Sequence, residues 1–131
     1  LSRGGPTVWM SPADAESIRR IAAHDGKDLY YLLVEQGKVL GYGMLRGWDE
    51  GYQIPSLGLA IHQSARGQGL GKMLMDILHR LASRRGVNKV RLRVLANNEK
   101  ALNLYKSLGY AFEEDANQPG FLVGFKHIGR E

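Results

Sequence analysis

The clearest hydrophobic pattern in the chain lies between Leu70 and Leu81. Apolar side chains recur there at intervals of three and four residues, which places them on one side of an α-helix: Leu70, Met73, Leu74, Ile77, Leu78 and Leu81. Gly86 follows a short polar stretch and is typical of the end of a helix. The pattern therefore predicts an amphipathic helix that begins at Leu70 and ends before Gly86.

Strand-like segments stand on both sides of this helix. Segment 56–62 (SLGLAIH) is short and apolar, and segment 89–95 (KVRLRVL) alternates apolar residues with Arg91 and Arg93. A strand, a helix and a second strand in this order form a βαβ unit, so we expect the two strands to be parallel.

Turn residues and local apolar patterns predict the remaining elements. These are a helix from Ser11-Pro12 to Gly26, a hairpin of strands 29–35 and 39–45, a short helix from Asn98 to Gly109, and an antiparallel strand pair, 110–114 with 121–127. The predicted fold class is α/β, with a mixed β-sheet flanked by helices.

Composition limits the possible classes of protein. A chain of 131 residues with 44% hydrophobic and 24% charged residues is typical of one globular domain, residues 1–131. The sequence has no long apolar run and no signal-peptide pattern, so we expect a cytoplasmic protein without a membrane partner. The absence of cysteine excludes disulfides, thiolate metal ligands and a cysteine nucleophile, and we expect no metal site.

The net charge of +5 leaves anionic partners open. Segment 66–93 contains one acidic residue, Asp76, and eight cations: Arg66, Lys72, Arg80, Arg84, Arg85, Lys89, Arg91 and Arg93. They form either a solvated surface or an anion-binding surface. Aromatic residues are not interleaved with these cations, so nucleic acid is not the expected partner.

Three glycines precede the amphipathic helix, in segment 62–74 (HQSARGQGLGKML). Unpaired N–H groups at a helix N-terminus bind anions, and glycine lets a phosphate approach the backbone. Spacing excludes the Walker loop and the dinucleotide-binding fingerprint, because the three glycines are Gly67, Gly69 and Gly71. The alternative is that these glycines only form a tight turn from strand to helix.

The motif Arg66-x-x-Gly69-x-Gly71, after LGLAIH and before the helix, resembles the acetyl-CoA signature of the GNAT N-acetyltransferase superfamily. The segment NNEKALNLYKSLGY resembles the later helix of the same family, so the resemblance spans residues 56–114. It implies a single N-acetyltransferase domain with acetyl-CoA as cosubstrate, and a splayed pair of parallel strands at the acyl-CoA site.

The resemblance also implies cofactor-binding roles for particular residues. Backbone groups of Leu59, Ala60 and Ile61 would pair with the pantetheine arm as an added strand does. The pyrophosphate would be held by the glycine loop: Arg66, Gly67, Gln68, Gly69, Leu70, Gly71 and Lys72. Asn98 would contact the cofactor arm, cap the following helix, or do both.

Tyr105 stands where the family places a hydroxyl near the CoA sulfur, and we expect it to act as general acid; the alternative is packing in the core. Without cysteine, direct attack of a neutral amine on the thioester is the simplest route, and it needs a base. Some family members that act on protein N-termini carry glutamate where this chain has Arg93, so the base must lie elsewhere. His62 is the candidate, and Asp49 and Glu50 are alternatives.

The sequence therefore predicts an acetyl-CoA-dependent N-acetyltransferase that acts on a primary amine of a small molecule or a protein. One alternative is a non-catalytic acyl-CoA-binding sensor that uses the same loop. A basic nucleic-acid-binding domain is a second alternative, supported by charge but by no recognisable motif. The sequence does not define the amine acceptor, and it leaves open whether the protein forms a homodimer.

Overall fold

The computed structural model describes residues 26–129, and the predicted helix from Ser11 lies outside them. The described residues form one six-stranded sheet in the order β1-β2-β3-β4-β6-β5. The elements are β1 (Leu29–Glu35), β2 (Lys38–Arg46), β3 (Ser56–Ile61), α1 (Leu70–Arg84), β4 (Lys89–Leu95), α2 (Glu99–Ser107), β5 (Ala111–Glu114) and β6 (Phe121–His127). Neither α-helix in this part of the chain is long and apolar enough to cross a membrane.

The β1–β2 hairpin closes on a two-residue turn. Gln36 and Gly37 both have positive φ angles, 51° and 78°, and two such residues in succession match the right-handed twist of paired strands. The predicted hairpin is confirmed, and β2 continues antiparallel onto β3, with Arg46 opposite Ser56.

The parallel pair joins the two halves of the sheet. Among the described residues, β3 and β4 share one register pair, Ser56 with Arg91, and the Arg91 amide donates to the Pro55 carbonyl at 3.0 Å. Beyond this bridge, residues 57–61 and 92–95 have no register partners across the gap. The predicted parallel pair and its splay are therefore both confirmed.

The core lies between the sheet and α1. Gly43 of β2 lets the helix approach closely, because a Cβ there would lie 3.0 Å from Leu78 Cδ1 and 3.2 Å from Leu74 Cδ2. The buried cluster contains Leu45, Leu57, Leu74, Met75, Leu78, Ala82, Val90, Leu92 and Tyr110, and Tyr105 and Leu108 from the α2 region pack against it.

The buried face of α1 is rotated relative to the predicted apolar stripe. Met75, outside the stripe, is fully buried, whereas Met73 and Ile77, inside it, are 41% and 38% exposed. Apolar residues cover more of this helix than the sheet can bury, so the spacing alone could not fix which residues face the core. The helix itself begins at Leu70 as predicted.

Candidate active site

The open edge of β3 carries unpaired backbone groups. His62 N–H donates to Leu40 on the β2 side, whereas the Pro55 carbonyl accepts from Arg91 on the β4 side. Hydrogen-bonding direction alternates along a strand, so the backbone groups of Leu59 and Ile61 point into the gap and those of Ala60 point towards β2. Segment 59–61 therefore presents a strand edge that an extended ligand could join.

The glycine loop is open to solvent at the end of β3. Gly67 and Gly69 have positive φ angles of 82° and 77°, a conformation that favours glycine, and Gly69 is the N-cap of α1. A Cβ built at Gly67, Gly69 or Gly71 meets no other atom within 4 Å. Packing therefore does not require glycine at these positions, and the N-terminal amides of α1 are accessible to an anion.

Arg66 and Lys72 contribute differently at this loop. The Arg66 Nε donates to the Ile61 carbonyl at 3.2 Å, which ties the loop back to the end of β3. Lys72 lies exposed in the first turn of α1. Arg66 thus occupies one of the backbone acceptors on the open edge. The other two residues of the loop, Gln68 and Leu70, lie between its glycines.

Asn98 caps α2. Its Oδ1 accepts a hydrogen bond from the Ala101 amide at 3.2 Å, which satisfies one unpaired amide at the helix start. The capping role proposed from the sequence is confirmed, and its contact with the cofactor arm stays a prediction.

Tyr105 lies on α2 between two aromatic rings. Its ring centroid lies 6.0 Å from that of Tyr110 and 6.4 Å from that of Phe112. Burial raises the pKa of Tyr105 above its ordinary value, so the hydroxyl stays protonated at neutral pH. No hydrogen-bond partner for this hydroxyl occurs among residues 26–129, so the proton is available to a ligand.

A second tyrosine, Tyr110, lies beside Tyr105 and is held by a hydrogen bond to α1. The Tyr110 hydroxyl lies 2.7 Å from His79 Nε2. Burial, with the neighbouring Tyr105, raises the pKa of Tyr110. Burial and then the charge of Lys126, opposed by Asp76, lower the pKa of His79 to about 4. Both groups are therefore neutral near pH 7, and the bond fixes Tyr110 beside Tyr105.

His62 is 5% exposed and works as a helix cap. Its Nδ1 accepts a hydrogen bond from the Ser64 amide at 3.0 Å and lies 2.9 Å from Ser64 Oγ, at the start of a short 3-10 turn. This turn is why β3 ends at Ile61, one residue before the predicted end. The role of His62 as a base stays a prediction.

A cavity of about 930 Å³ lies at the point where β3 and β4 separate. Its wall combines the end of β2, the start of β3 and the middle of β4 with the loop after β2. The lining includes Met44, Arg46, Glu50, Tyr52, Gln53, Ile54, Ser56, Gly58, Arg91 and Arg93. Leu57 and Leu92 point to the core side of the sheet. The side chains of Ser56, Arg91 and Arg93 alternate with them and occupy the opposite face, which is the face of the cavity.

Two aspartates fix the loop that forms one wall of this cavity, which we call the β2–β3 loop (47–55). The buried Asp28 Oδ1 accepts from the amides of Gly47 and Asp49, at 3.0 and 3.1 Å. Asp49 in turn accepts from the amides of Lys27 and Asp28, at 2.6 and 3.3 Å. Asp49 is therefore occupied in holding the loop, whereas Glu50, beside it, lines the cavity.

Sequence reasoning missed the contribution of Arg46 and Ser56 to this site. It placed Arg91 and Arg93 on the polar face of a strand and among the basic residues, and that alternation was the signal that both share one side of the sheet. Among residues 26–129, no group of three or more His, Asp or Glu side chains is arranged to hold a metal ion.

Comparison with known proteins identifies what this architecture is similar to. The family described as Acetyltransferase (GNAT) family matches residues 2–110. Acetyltransferase SG1711 of Sodalis glossinidius (strain morsitans) is 29% identical over 106 residues, which cover 81% of this chain and 71% of that protein.

Two solved structures share the fold. The ribosomal-protein-S18-alanine N-acetyltransferase of Escherichia coli superposes with a TM-score of 0.71 and 20% identity, covering 92% of each chain. A GNAT family acetyltransferase from Elizabethkingia anophelis with acetyl-CoA bound gives a TM-score of 0.68 and 15% identity, covering 97% of this chain and 94% of that one.

Proposed function

Because the chain belongs to the acetyltransferase (GNAT) family, we propose that it is an N-acetyltransferase that transfers the acetyl group of acetyl-CoA directly to a primary amine. The observation that carries the proposal is the gap between β3 and β4. An open strand edge leads from the single bridge at Ser56 to a glycine loop at the start of α1. An extended thiol arm with a pyrophosphate at one end fits this combination.

The proposed cofactor path uses three parts of the chain. The amides from Gly67 to Lys72 hold the pyrophosphate, and the open edge at 59–61 pairs with the pantetheine arm. This orientation brings the thioester towards the cavity where β3 and β4 separate. The relative from Elizabethkingia anophelis with acetyl-CoA bound shares the fold and supports the same ligand here.

Tyr105 is the proposed general acid. A thiol has an ordinary pKa of about 8.5, below that of a phenol, and burial raises the pKa of Tyr105 further. Complete proton transfer from the phenol to a free thiolate is therefore uphill. A hydrogen bond from Tyr105 that strengthens as the sulfur gains charge would still lower the barrier.

Glu50 is the proposed base that deprotonates the amine. Of the described residues that line the cavity, Glu50 is the one with a carboxylate. A carboxylate can accept a proton from the amine directly or through water. His62 remains the alternative base, although its Nδ1 already accepts from the Ser64 amide.

Thiol release from acetyl-CoA, measured with a panel of small amines, tests the proposed function. We expect amine-dependent release, and Tyr105→Phe should reduce turnover by roughly 10- to 1000-fold with little change in melting temperature or acetyl-CoA affinity. The phenyl ring keeps its contacts with Tyr110 and Phe112. A fully active phenylalanine variant would remove the hydroxyl from the mechanism.

Matched variants distinguish Glu50 from His62 as the residue that deprotonates the amine. Glu50→Gln keeps the size of the side chain, and His62→Asn keeps an acceptor that can cap the 3-10 turn. We expect Glu50→Gln to slow turnover and His62→Asn to leave it nearly unchanged. The opposite result would assign the base to His62. Tight acetyl-CoA binding without release for any amine would favour the non-catalytic acyl-CoA-binding sensor.

A further inference from the structure

Three arginines converge on the cavity from two strands. Arg46 lies opposite Ser56 across β2 and β3, and Ser56 lies opposite Arg91 across β3 and β4. Residues opposite one another share a face of the sheet, so Arg46, Ser56 and Arg91 form one row across the three strands, with neighbouring positions about 5 Å apart. Arg93 is two residues further along β4 and shares that face.

The neighbours of these side chains position their guanidinium groups. Arg91 Nη1 donates to Ser56 Oγ at 3.2 Å. Arg93 stacks over the Phe121 ring, with its Cζ 5.3 Å from the centroid, and its Nε lies 3.7 Å from Asp115 Oδ2. Arg46 and Arg91 have no carboxylate within ion-pair distance among residues 26–129. Three guanidinium groups thus face the cavity, against the single lining carboxylate of Glu50.

This arginine cluster (Arg46, Arg91 and Arg93) is separate from the pyrophosphate site. The glycine loop follows the far end of β3, and the six residues from Ser56 to Ile61 span about 17 Å of strand. The cluster therefore lies at the opposite end of β3 from the loop that would bind the CoA phosphates. Among residues 26–129, the carboxylates beside the cluster are Glu50 and Asp115, fewer than its three positive charges, so the anionic group of another ligand would match the remaining charge.

We propose that the amine acceptor is a small molecule that also carries a carboxylate or phosphate group, which the arginine cluster binds while the amine faces the thioester. This inference rests on the proposed function. Arginine matches both oxyanions through paired N–H donors. The cavity volume of about 930 Å³ lies in the range of small-molecule sites. Glu50 on the same wall would attract the ammonium, so the cavity matches a molecule with both charges.

Binding of acetylated products tests this inference without requiring turnover. Calorimetry would compare matched pairs, with and without saturating CoA: N-acetylglycine against N-acetylglycinamide, and N-acetyl-phosphoethanolamine against N-acetylethanolamine. We expect the charged member of at least one pair to bind about 10-fold more tightly than its neutral partner. A preference in the first pair assigns the group as carboxylate, and a preference in the second assigns it as phosphate.

Variants of the cluster provide the control. Arg46→Gln and Arg93→Gln should each remove most of the preference for the charged member, whereas Arg80→Gln, an exposed position on α1, should preserve it. Equal affinities within both pairs, a preference that survives both cluster variants, or no binding of either charged product at about 10 mM would overturn the inference. CoA titration reports separately on the proposed function, because it does not involve the cluster.

Discussion

No packing contact in the described part of the folded chain requires glycine at position 71. Gly71 stands in the first turn of α1 with a helical φ, and a Cβ there meets nothing within 4 Å. The free protein could therefore accept a larger residue at this position. If the glycine loop binds a pyrophosphate, the open space beside Gly71 is where the phosphate approaches the backbone.

Gly71→Ala provides a prediction at this scale. We expect the variant to be at least as stable as the parent, by up to about 1 kcal/mol, because alanine restricts the unfolded chain and favours helix. Acetyl-CoA affinity should fall by roughly 10-fold or more, since the methyl group occupies the phosphate approach. Calorimetry and melting curves measure the two effects.

Lys72→Gln is the matched comparison for that variant. It removes a neighbouring charge and leaves the backbone unchanged, so it should weaken binding less than Gly71→Ala does. A larger loss for Lys72→Gln would assign the binding to the side chain and contradict the backbone mechanism.

At the scale of elements, the approach of α1 to β2 depends on Gly43. Leu74 and Leu78 pack directly against its Cα, and a Cβ would lie 3.0 Å from Leu78 Cδ1. Both leucines are fully enclosed in the core, so they cannot move aside without disturbing their neighbours.

Gly43→Val should therefore destabilise the protein by about 1–3 kcal/mol through overpacking, as measured by urea unfolding. Gly58→Ala is the control on the opposite face of the same sheet. Its Cβ would lie 3.0 Å from Met44 Cε, the end of a flexible side chain that can move. Equal losses for the two variants would show that the contact with α1 is not the cause of the loss in Gly43→Val.

These elements also show which parts of the structure local sequence patterns predict. Periodicity was sufficient for α1, the hairpin and the alternation of β4, because each depends on residues close in sequence. It could not give the rotation of α1 about its own axis, because that rotation depends on the contact of Leu74 and Leu78 with Gly43 on a distant strand. Arg46 joins Arg91 only through the registers of two strand pairs, so no local pattern could predict the arginine cluster.

At the scale of the whole molecule, a polar pair links α1 to the strand side of the core. His79 and Tyr110 are separated by 31 residues in sequence and joined by a bond of 2.7 Å. Because the pKa of His79 falls from 6.5 to about 4 on folding, only the unfolded chain takes up a proton there between these pH values. The contribution of His79 to the free energy of unfolding should therefore be nearly constant above pH 6.5 and should decrease as the pH falls towards 4.

His79→Gln tests this dependence, because glutamine does not titrate. Between pH 7 and pH 5, the melting temperature of the parent should fall further than that of the variant, by about 3 °C after allowance for solvent screening. The absolute stability at pH 7 is not the readout, since the variant also changes the bond to Tyr110. Parallel melting temperatures across this range would contradict the prediction.

The single bridge between β3 and β4 has a consequence for motion. Strands β1, β2 and β3 form one antiparallel unit, and β4, β6 and β5 form another, so the hydrogen-bond ladder is almost interrupted in the middle of the sheet. The backbone amides of Leu59 and Ile61, which face the gap, should exchange with solvent deuterium faster than those of Leu45 in β2. Acetyl-CoA would slow their exchange by supplying the missing strand partner, so that the cosubstrate completes the sheet and makes its two halves open together.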